Sequence, residues 1–302
     1  MLYNYVYWHE LHHRWKDEDA EYLNQNLRYF RIAAANGDVI ANVRLQSYLV
    51  GGELSKEAAP DKLNETLDLN DLLLAQNLPL AYYRKGTFIL YGYYKGSRDD
   101  AWAYIRKAAD MGDKDAQFDI GRTVAINTSI PAIKRWPYLA KLWECAAMQG
   151  HAEAAFALEA WGDDGFSNLK DYLAAFHNGA KGGEPMLFAM IEGFNYIIPI
   201  TNKTRLGLTA AELDPERAER YHALSHLLTK YSYLGSKLKI PDLDKIVLLP
   251  PAKLPEWDGK TAFIRWYLGA EPPKPSEELM QQLAEKHHLD PATGLPLNKK
   301  KR

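Results

Sequence analysis

Trp102-Ala103-Tyr104-Ile105-Arg106-Lys107-Ala108-Ala109-Asp110-Met111-Gly112-Asp113-Lys114-Asp115-Ala116 is the stretch on which the fold turns. The paired alanines leave room for two helices to approach closely. Gly112, four residues past Ala108, supplies the left-handed residue that ends a helix. Ala116, four residues further on, starts the next helix on its buried face. Bulky Trp102 and Tyr104 precede the pair and fill the space around it.

The same frame recurs along the chain. Ala33-Ala34 leads to Gly37 and Ala41, and Ala146-Ala147 leads to Gly150 and Ala154. Weaker copies run from Leu73-Leu74 to Asn77 and Ala81, and from Gly179-Ala180 to Gly183 and Leu187. Successive hinges lie 33 to 40 residues apart. Helices after a hinge read Ala-x-x-x-apolar-small, as in Ala116…Ile120-Gly121. The unit is therefore two antiparallel helices of about 35–40 residues. One unit cannot bury both its faces, so the expected fold is all-α, a right-handed α-solenoid of stacked pairs.

Composition narrows the function. The chain has 302 residues, 47% hydrophobic and 25% charged, with a net charge of −2. That balance weakens any reading that needs a broad basic surface for nucleic acid. No apolar run approaches the ~20 residues of a membrane-spanning helix. The single cysteine, Cys145, excludes an internal disulfide and a cysteine-rich zinc module, and it reads as a small core residue. The opening residues show no basic-then-apolar export signal, so the sequence as written reads as cytoplasmic. A mature chain whose signal had been replaced by a start Met would read the same.

Three regions follow. Residues 1–21 form an N-terminal capping helix, with Tyr5, Trp8, Leu11, His12 and Trp15 facing inward. Residues 22–200 form the solenoid. Residues 201–302 hold a helix, a strap and a tail. In that last region Tyr221, Leu224, Leu228 and Tyr231 fall at helical spacing behind an Asp214 cap and Pro215. Ile240 to Gly259 is too rich in proline for a helix and too apolar for a free linker. It reads as an extended strap along the solenoid, anchored by Ile246, Leu248 and Trp257. Ser276 caps a helix reaching His287, with Glu277 and Glu278 on its N-terminal dipole. The tail Lys299-Lys300-Lys301-Arg302 reads as disordered.

His9-Glu10-Leu11-His12-His13 contains the H-E-x-x-H spacing that puts two zinc ligands on one helix face. No further ligand motif follows it, and no sheet can precede it, so a zinc hydrolase is the remote alternative to a plain cap. His287-His288 reads as a solvated pair. No nucleophile elbow or phosphate-binding glycine pattern occurs. No catalytic residue, metal ion or cofactor is expected.

The stretch around Gly112 resembles the Sel-one-like repeat, a relative of the tetratricopeptide repeats, with Asp99 and Asp100 in its acidic spot. The resemblance extends over about residues 20–200, interrupted by insertions at Gly51–Leu67 and Thr128–Pro137. A second resemblance is more specific. It is carried by Asp242-Leu243-Asp244-Lys245-Ile246-Val247, by Pro250-Pro251-Ala252-Lys253-Leu254-Pro255 with Trp257-Asp258-Gly259, and by Pro272–Glu278 and Leu289–Leu297. These resemble bacterial Sel-one-like repeat proteins with a C-terminal domain of unknown function. That family resembles the immunity proteins found beside phospholipase-type toxins of type VI secretion systems. The resemblance implies a partner-binding protein that neutralises a lipase or phospholipase effector, in the periplasm. A general adaptor or assembly scaffold of the same fold is the runner-up.

In the tetratricopeptide frame, the positions three before and one after the small residue face the concave groove. They give Val43, Tyr83, Phe118 and Phe156, together with Thr87 and Arg122. Asp163 and Asp164 form an acidic rim beside Glu153, and Trp257 adds a strap contact. Phe118 and Phe156 read equally well as core filling between units. The strap itself could lie over the groove.

Overall fold

Every hinge read from the sequence holds left-handed backbone: Gly37, Asn77, Gly112, Gly150 and Gly183 have φ of 92°, 54°, 94°, 84° and 95°. The closing hydrogen bonds repeat with them. Gly112 N–H donates to Ala109 O (3.0 Å) and Asp113 N–H to Ala108 O (2.9 Å). This double bond is the Schellman closure. The residue after the hinge then opens the next helix. The Asp113 carboxylate accepts from Ala116 N–H (2.9 Å), as Asp38 accepts from Ala41 N–H (2.9 Å). One residue thus ends one helix with its amide and starts the next with its side chain.

The protein, a computed structural model, is described over residues 1–13, 19–51, 54–161, 169–183, 186–204, 206–234 and 238–297. The elements begin with α1 (Leu2–His13), α2 (Asp19–Ala35), α3 (Val39–Gly51), α4 (Lys62–Ala75), α5 (Pro79–Leu90) and α6 (Arg98–Asp110). There follow α7 (Lys114–Ala125), α8 (Ala132–Met148), α9 (Ala152–Trp161), α10 (Leu169–Ala180) and α11 (Met186–Asn195). A two-stranded antiparallel ribbon, β1 (Ile197–Ile198) and β2 (Lys203–Thr204), sets Ile197 opposite Thr204. Then come α12 (Pro215–Lys230), α13 (Leu243–Ile246), α14 (Ala262–Tyr267) and α15 (Glu277–Glu285). The fold is all-α and solenoid-like, with the hinged pairs α2–α3, α4–α5, α8–α9 and α10–α11 each packed together.

The chain forms two compact units, Met1–Tyr104 with Gly269–Arg302, and Ile105–Leu268. They cut across the 22–200 and 201–302 division read from the sequence. In the first unit Leu27, Phe30, Ile32 and Leu45 make the core, and α15 adds Met280 and Ala284 to it. Arg31 is a buried hub. Its guanidinium makes a bidentate pair with Glu65 (2.7 and 3.0 Å) and donates to Ala58 O (2.7 Å) and Thr293 O (2.9 Å). Gly294 (φ 70°) must lack a side chain here, because a Cβ would lie 2.6 Å from Arg31 Cβ. Within the Gly51–Leu67 insertion Leu54 and Ala59 are buried, and its last part is the start of α4, capped by Asp61.

In the second unit Trp143, Phe176, Phe194 and Tyr221 are buried in one core. The small position Gly121 exists for Trp143: a Cβ there would sit 2.4 Å from its indole nitrogen, which donates to Phe118 O (3.2 Å). The repeat alanines Ala41, Ala81, Ala108, Ala116, Ala146 and Ala154 are all fully buried.

Three sequence expectations change. Cys145 is exposed, because it falls on the outer side of α8 while Ala146 and Ala147 face in. Leu248 is 38% exposed, and Val247 is the buried anchor instead. A strap extended throughout would put Ile246 and Leu248 on one face with period two. The helical turn α13 resets that period, so Ile240, Leu243, Ile246 and Val247 point inward. In the cap Leu2 and Val6 join Tyr5 and Leu11 in the core, whereas Trp8 and His12 are half-buried. Trp15 and the Lys299–Arg302 tail lie outside the described residues.

Candidate partner-binding site

A strap with prolines carries carbonyls that lack ladder partners, so donors must come from elsewhere. Here α12 supplies them. Arg217, at the helix start, donates to Leu248 O (2.7 Å) and Ala252 O and pairs with Asp214. One turn on, Arg220 donates to Ile246 O and Pro255 O, both at 3.1 Å. Its guanidinium also stands 5.4 Å from the centre of the Trp257 ring. The Trp257 indole N–H donates to Lys260 O (2.7 Å), which fixes the ring plane. Hinge Gly183 lets the backbone just before the strap come close: a Cβ there would meet Leu238 O at 2.5 Å.

α13 is tied down by a polar chain that starts at the buried Tyr221 and His177 and ends at the exposed Asp244. Tyr221 O–H donates to His177 Nδ1 (2.6 Å), and His177 Nε2–H donates to Asp244 Oδ1 (2.8 Å). Lys181 Nζ donates to Asp244 Oδ2 (2.6 Å). Burial pushes the His177 pKa down and keeps the ring neutral. Burial also raises Asp244, but the hydrogen bonds from Lys181 and His177 outweigh it and hold the carboxyl below its usual range. Tyr221 is fully buried and shifted upward by burial. An Asp-His-hydroxyl row of this kind has the parts of a catalytic relay, yet its hydroxyl meets no solvent. It works as a lock on the strap.

Between α13, the end of the strap and α14 lies a cavity of about 610 Å³. Trp257 forms one wall, and Asp242, Lys245, Glu256, Asp258 and Arg265 supply the charge. Arg265 and Asp258 pair bidentately (2.9 and 3.1 Å). Asp242 Oδ2 accepts from Ala262 N–H (2.7 Å), while Oδ1 is buried and has no hydrogen-bond partner among the described residues.

The groove residues divide between the units. In the first, Val43 is half-buried on α3, and Tyr83 and Thr87 are half-buried on α5, where Thr87 Oγ1 donates to Arg84 O (2.9 Å). In the second, Phe118 and Phe156 are partly buried against the core, and Phe118 rests 4.4 Å from the His151 ring. Arg122 is exposed and pairs with Asp119 (3.2 Å). Asp163 and Asp164 lie outside the described residues. Of the predicted set, Trp257 is the one that lines the cavity. Its neighbours Asp242, Glu256 and Arg265 were not singled out as site residues, because they converge through a turn that only the folded strap creates. Arg217 and Arg220, three apart on α12 before a proline-rich segment, were the available signal.

The H-E-x-x-H residues are each engaged separately. Glu10 pairs with Arg44 (2.5 Å), and His9 Nε2 meets Glu271 (2.8 Å). The His13 ring stacks on Tyr22, with centres 4.3 Å apart. Among the described residues no group of three or more His, Cys, Asp or Glu is placed to hold a metal ion. No helix there is long and apolar enough to cross a membrane.

Residues 188–297 match a family described as Domain of unknown function (DUF6396), a stretch that contains the whole strap and its cavity. No curated protein matches the sequence. Two solved structures from Pseudomonas aeruginosa are similar. The immunity protein Pa5087 is 20% identical, with 82% of this chain and 89% of that one covered and a TM-score of 0.51. The protein PA5086 is 21% identical over the same shares, with a TM-score of 0.50. At that identity the likeness is one of fold.

Proposed function

We propose that this protein is an immunity-type antagonist that binds a toxic bacterial effector and neutralises it by protein–protein contact. The observation that carries the reading is the fold shared with the immunity protein Pa5087 across 82% of the chain. The DUF6396 match falls on the strap segment that resembles the type VI immunity family, which supports the same reading. Within it, the effector is a lipase or phospholipase delivered by type VI secretion, and the encounter takes place in the periplasm. The chemistry fits a binder: in the row with a relay's geometry the hydroxyl belongs to the fully buried Tyr221, out of reach of any substrate.

The test is co-expression of the full chain with the lipase-type effector encoded beside it, followed by pull-down and growth measurement. A stable complex and rescue of growth are expected when both are directed to the periplasm. Growth arrest despite abundant folded protein, with no complex formed, would sink the proposal. Rescue only when both stay in the cytoplasm would overturn the compartment.

A further inference from the structure

The geometry points to Arg84 on α5 as the receptor for one carboxylate, an aspartate or glutamate side chain presented by the protein partner. Two arginines occupy the same place in the repeat. Arg44 stands three residues past Ala41 on α3, and Arg84 stands three past Ala81 on α5. Each has its Nε–H tied to a neighbour: Arg44 donates to Tyr48 Oη (2.8 Å) and Arg84 to Gln46 Oε1 (2.8 Å). They differ at the outer edge of the fork. Arg44 Nη2 meets the Glu10 carboxylate (2.5 Å), whereas Arg84 has no carboxylate partner among the described residues.

Arg84 is held firmly all the same. Gln46 is fully buried, and its Nε2 donates to Asn42 Oδ1 (2.7 Å). Asn42, fully buried too, donates to Leu69 O (3.0 Å). This amide row leads from the α4 backbone to the guanidinium and holds its plane, with Cζ 5.6 Å from the centre of the Phe88 ring. Arg84 is half-buried, and its Nη groups bond to nothing among the described residues yet are not sealed from solvent. Burial pulls its pKa down, and Tyr83 is the titratable group that acts against this. A charge half-buried without a counter-ion gains when one arrives. The four Nη hydrogens of a fixed fork match a carboxylate bidentately. Tyr83, next to it in sequence, is half-buried as well, and arginine with tyrosine is the pairing that protein interfaces favour at their centres. The identity of the partner rests on the antagonist reading. The preference of the fork for a carboxylate does not.

The full chain is titrated with N-acetyl-glutamate amide, and the Arg84 Nε–H signal is followed by NMR, assigned by its loss in Arg84→Lys. A saturable shift is expected at Arg84 and none at Arg44, whose edge Glu10 already fills. The neutral N-acetyl-glutamine amide should give no shift, and inorganic phosphate should bind more weakly than the glutamate probe. Arg84→Lys keeps the charge and loses the fork, so calorimetry with the effector should show affinity weakened about tenfold or more at an unchanged melting temperature. Equal shifts at Arg44 and Arg84, equal shifts with the glutamine probe, tighter binding of phosphate, or no saturable shift in folded wild-type protein overturn the inference. Effector affinity equal in wild type and Arg84→Lys also overturns it and leaves the antagonist reading standing. If the glutamate probe binds Arg84 but no effector complex forms, the receptor stands and the antagonist reading falls.

Discussion

The hinged helix pairs and the strap solve the same problem in opposite ways. A helix pair satisfies its own backbone, and the hinge bonds of Gly112 and Asp113 close even the ends. The strap from Ile240 to Gly259 cannot do this and borrows donors from Arg217 and Arg220. The first kind of structure is held by packing and has many equivalent contacts. The second is held by a few named side chains. Stability in the pairs should therefore respond to volume, and stability in the strap to single donors.

The comparison can be broken most forcefully at Trp143. Trp143→Ala removes the second unit's largest fully buried side chain, and a loss of about 3–5 kcal/mol is expected by chemical denaturation. A loss near zero would show that the pairs are not held by packing. Arg217→Ala should cost about 1.5–3 kcal/mol, since it leaves strap carbonyls without donors. Hydrogen exchange should rise in the strap while α7–α9 stay protected. Uniform exchange across the unit would mean that strap and pairs share one mode of support.

Gly112→Ala sharpens the hinge argument. Its φ of 94° disfavours any Cβ, yet nothing lies within 4 Å of one, so backbone strain alone acts. A loss of about 1–2 kcal/mol is expected, read from the melting midpoint.

Acid should loosen the strap lock next. Asp244 and His177 both have folded pKa values below their unfolded ones. The unfolded chain thus binds protons first, and stability is present above the ordinary histidine pKa and falls as pH drops through the ordinary histidine and carboxylate ranges. Asp244 is 58% exposed, so solvent screens its share and the effect is smaller than the hinge's. His177→Gln should flatten the upper part of that profile. Leu248→Ser comes last, with a change within about 0.5 kcal/mol. Val247→Ser should be far more costly, and equal effects would restore the period-two reading of the strap.

Local code was readable and distant pairing was not. Each hinge and buried alanine follows from spacings of four residues, which helix geometry enforces whatever lies around them. The Leu248 expectation failed for an equally local reason, since one turn of helix between Pro241 and Pro250 rephases the side chains. The lock between His177 and Asp244 joins residues 67 positions apart, and nothing in either neighbourhood announces the other. The same holds for Arg31, whose partners Glu65, Ala58 and Thr293 come from separate segments. Trp257 was found because a large aromatic in a strap needs a seat. The cavity beside it was not, because it is made by the fold of α13 and α14.

The bond from Arg31 to Thr293 spans 262 residues and has a consequence in time. The second unit is one uninterrupted stretch, so it can fold while the ribosome is still at work. The first unit is not complete until its last thirty or so residues emerge, and until then Arg31 has a charge to bury and no Thr293 carbonyl to meet. The surface that α15 covers on the N-terminal helices is therefore closed only by a segment more than two hundred residues further along the chain.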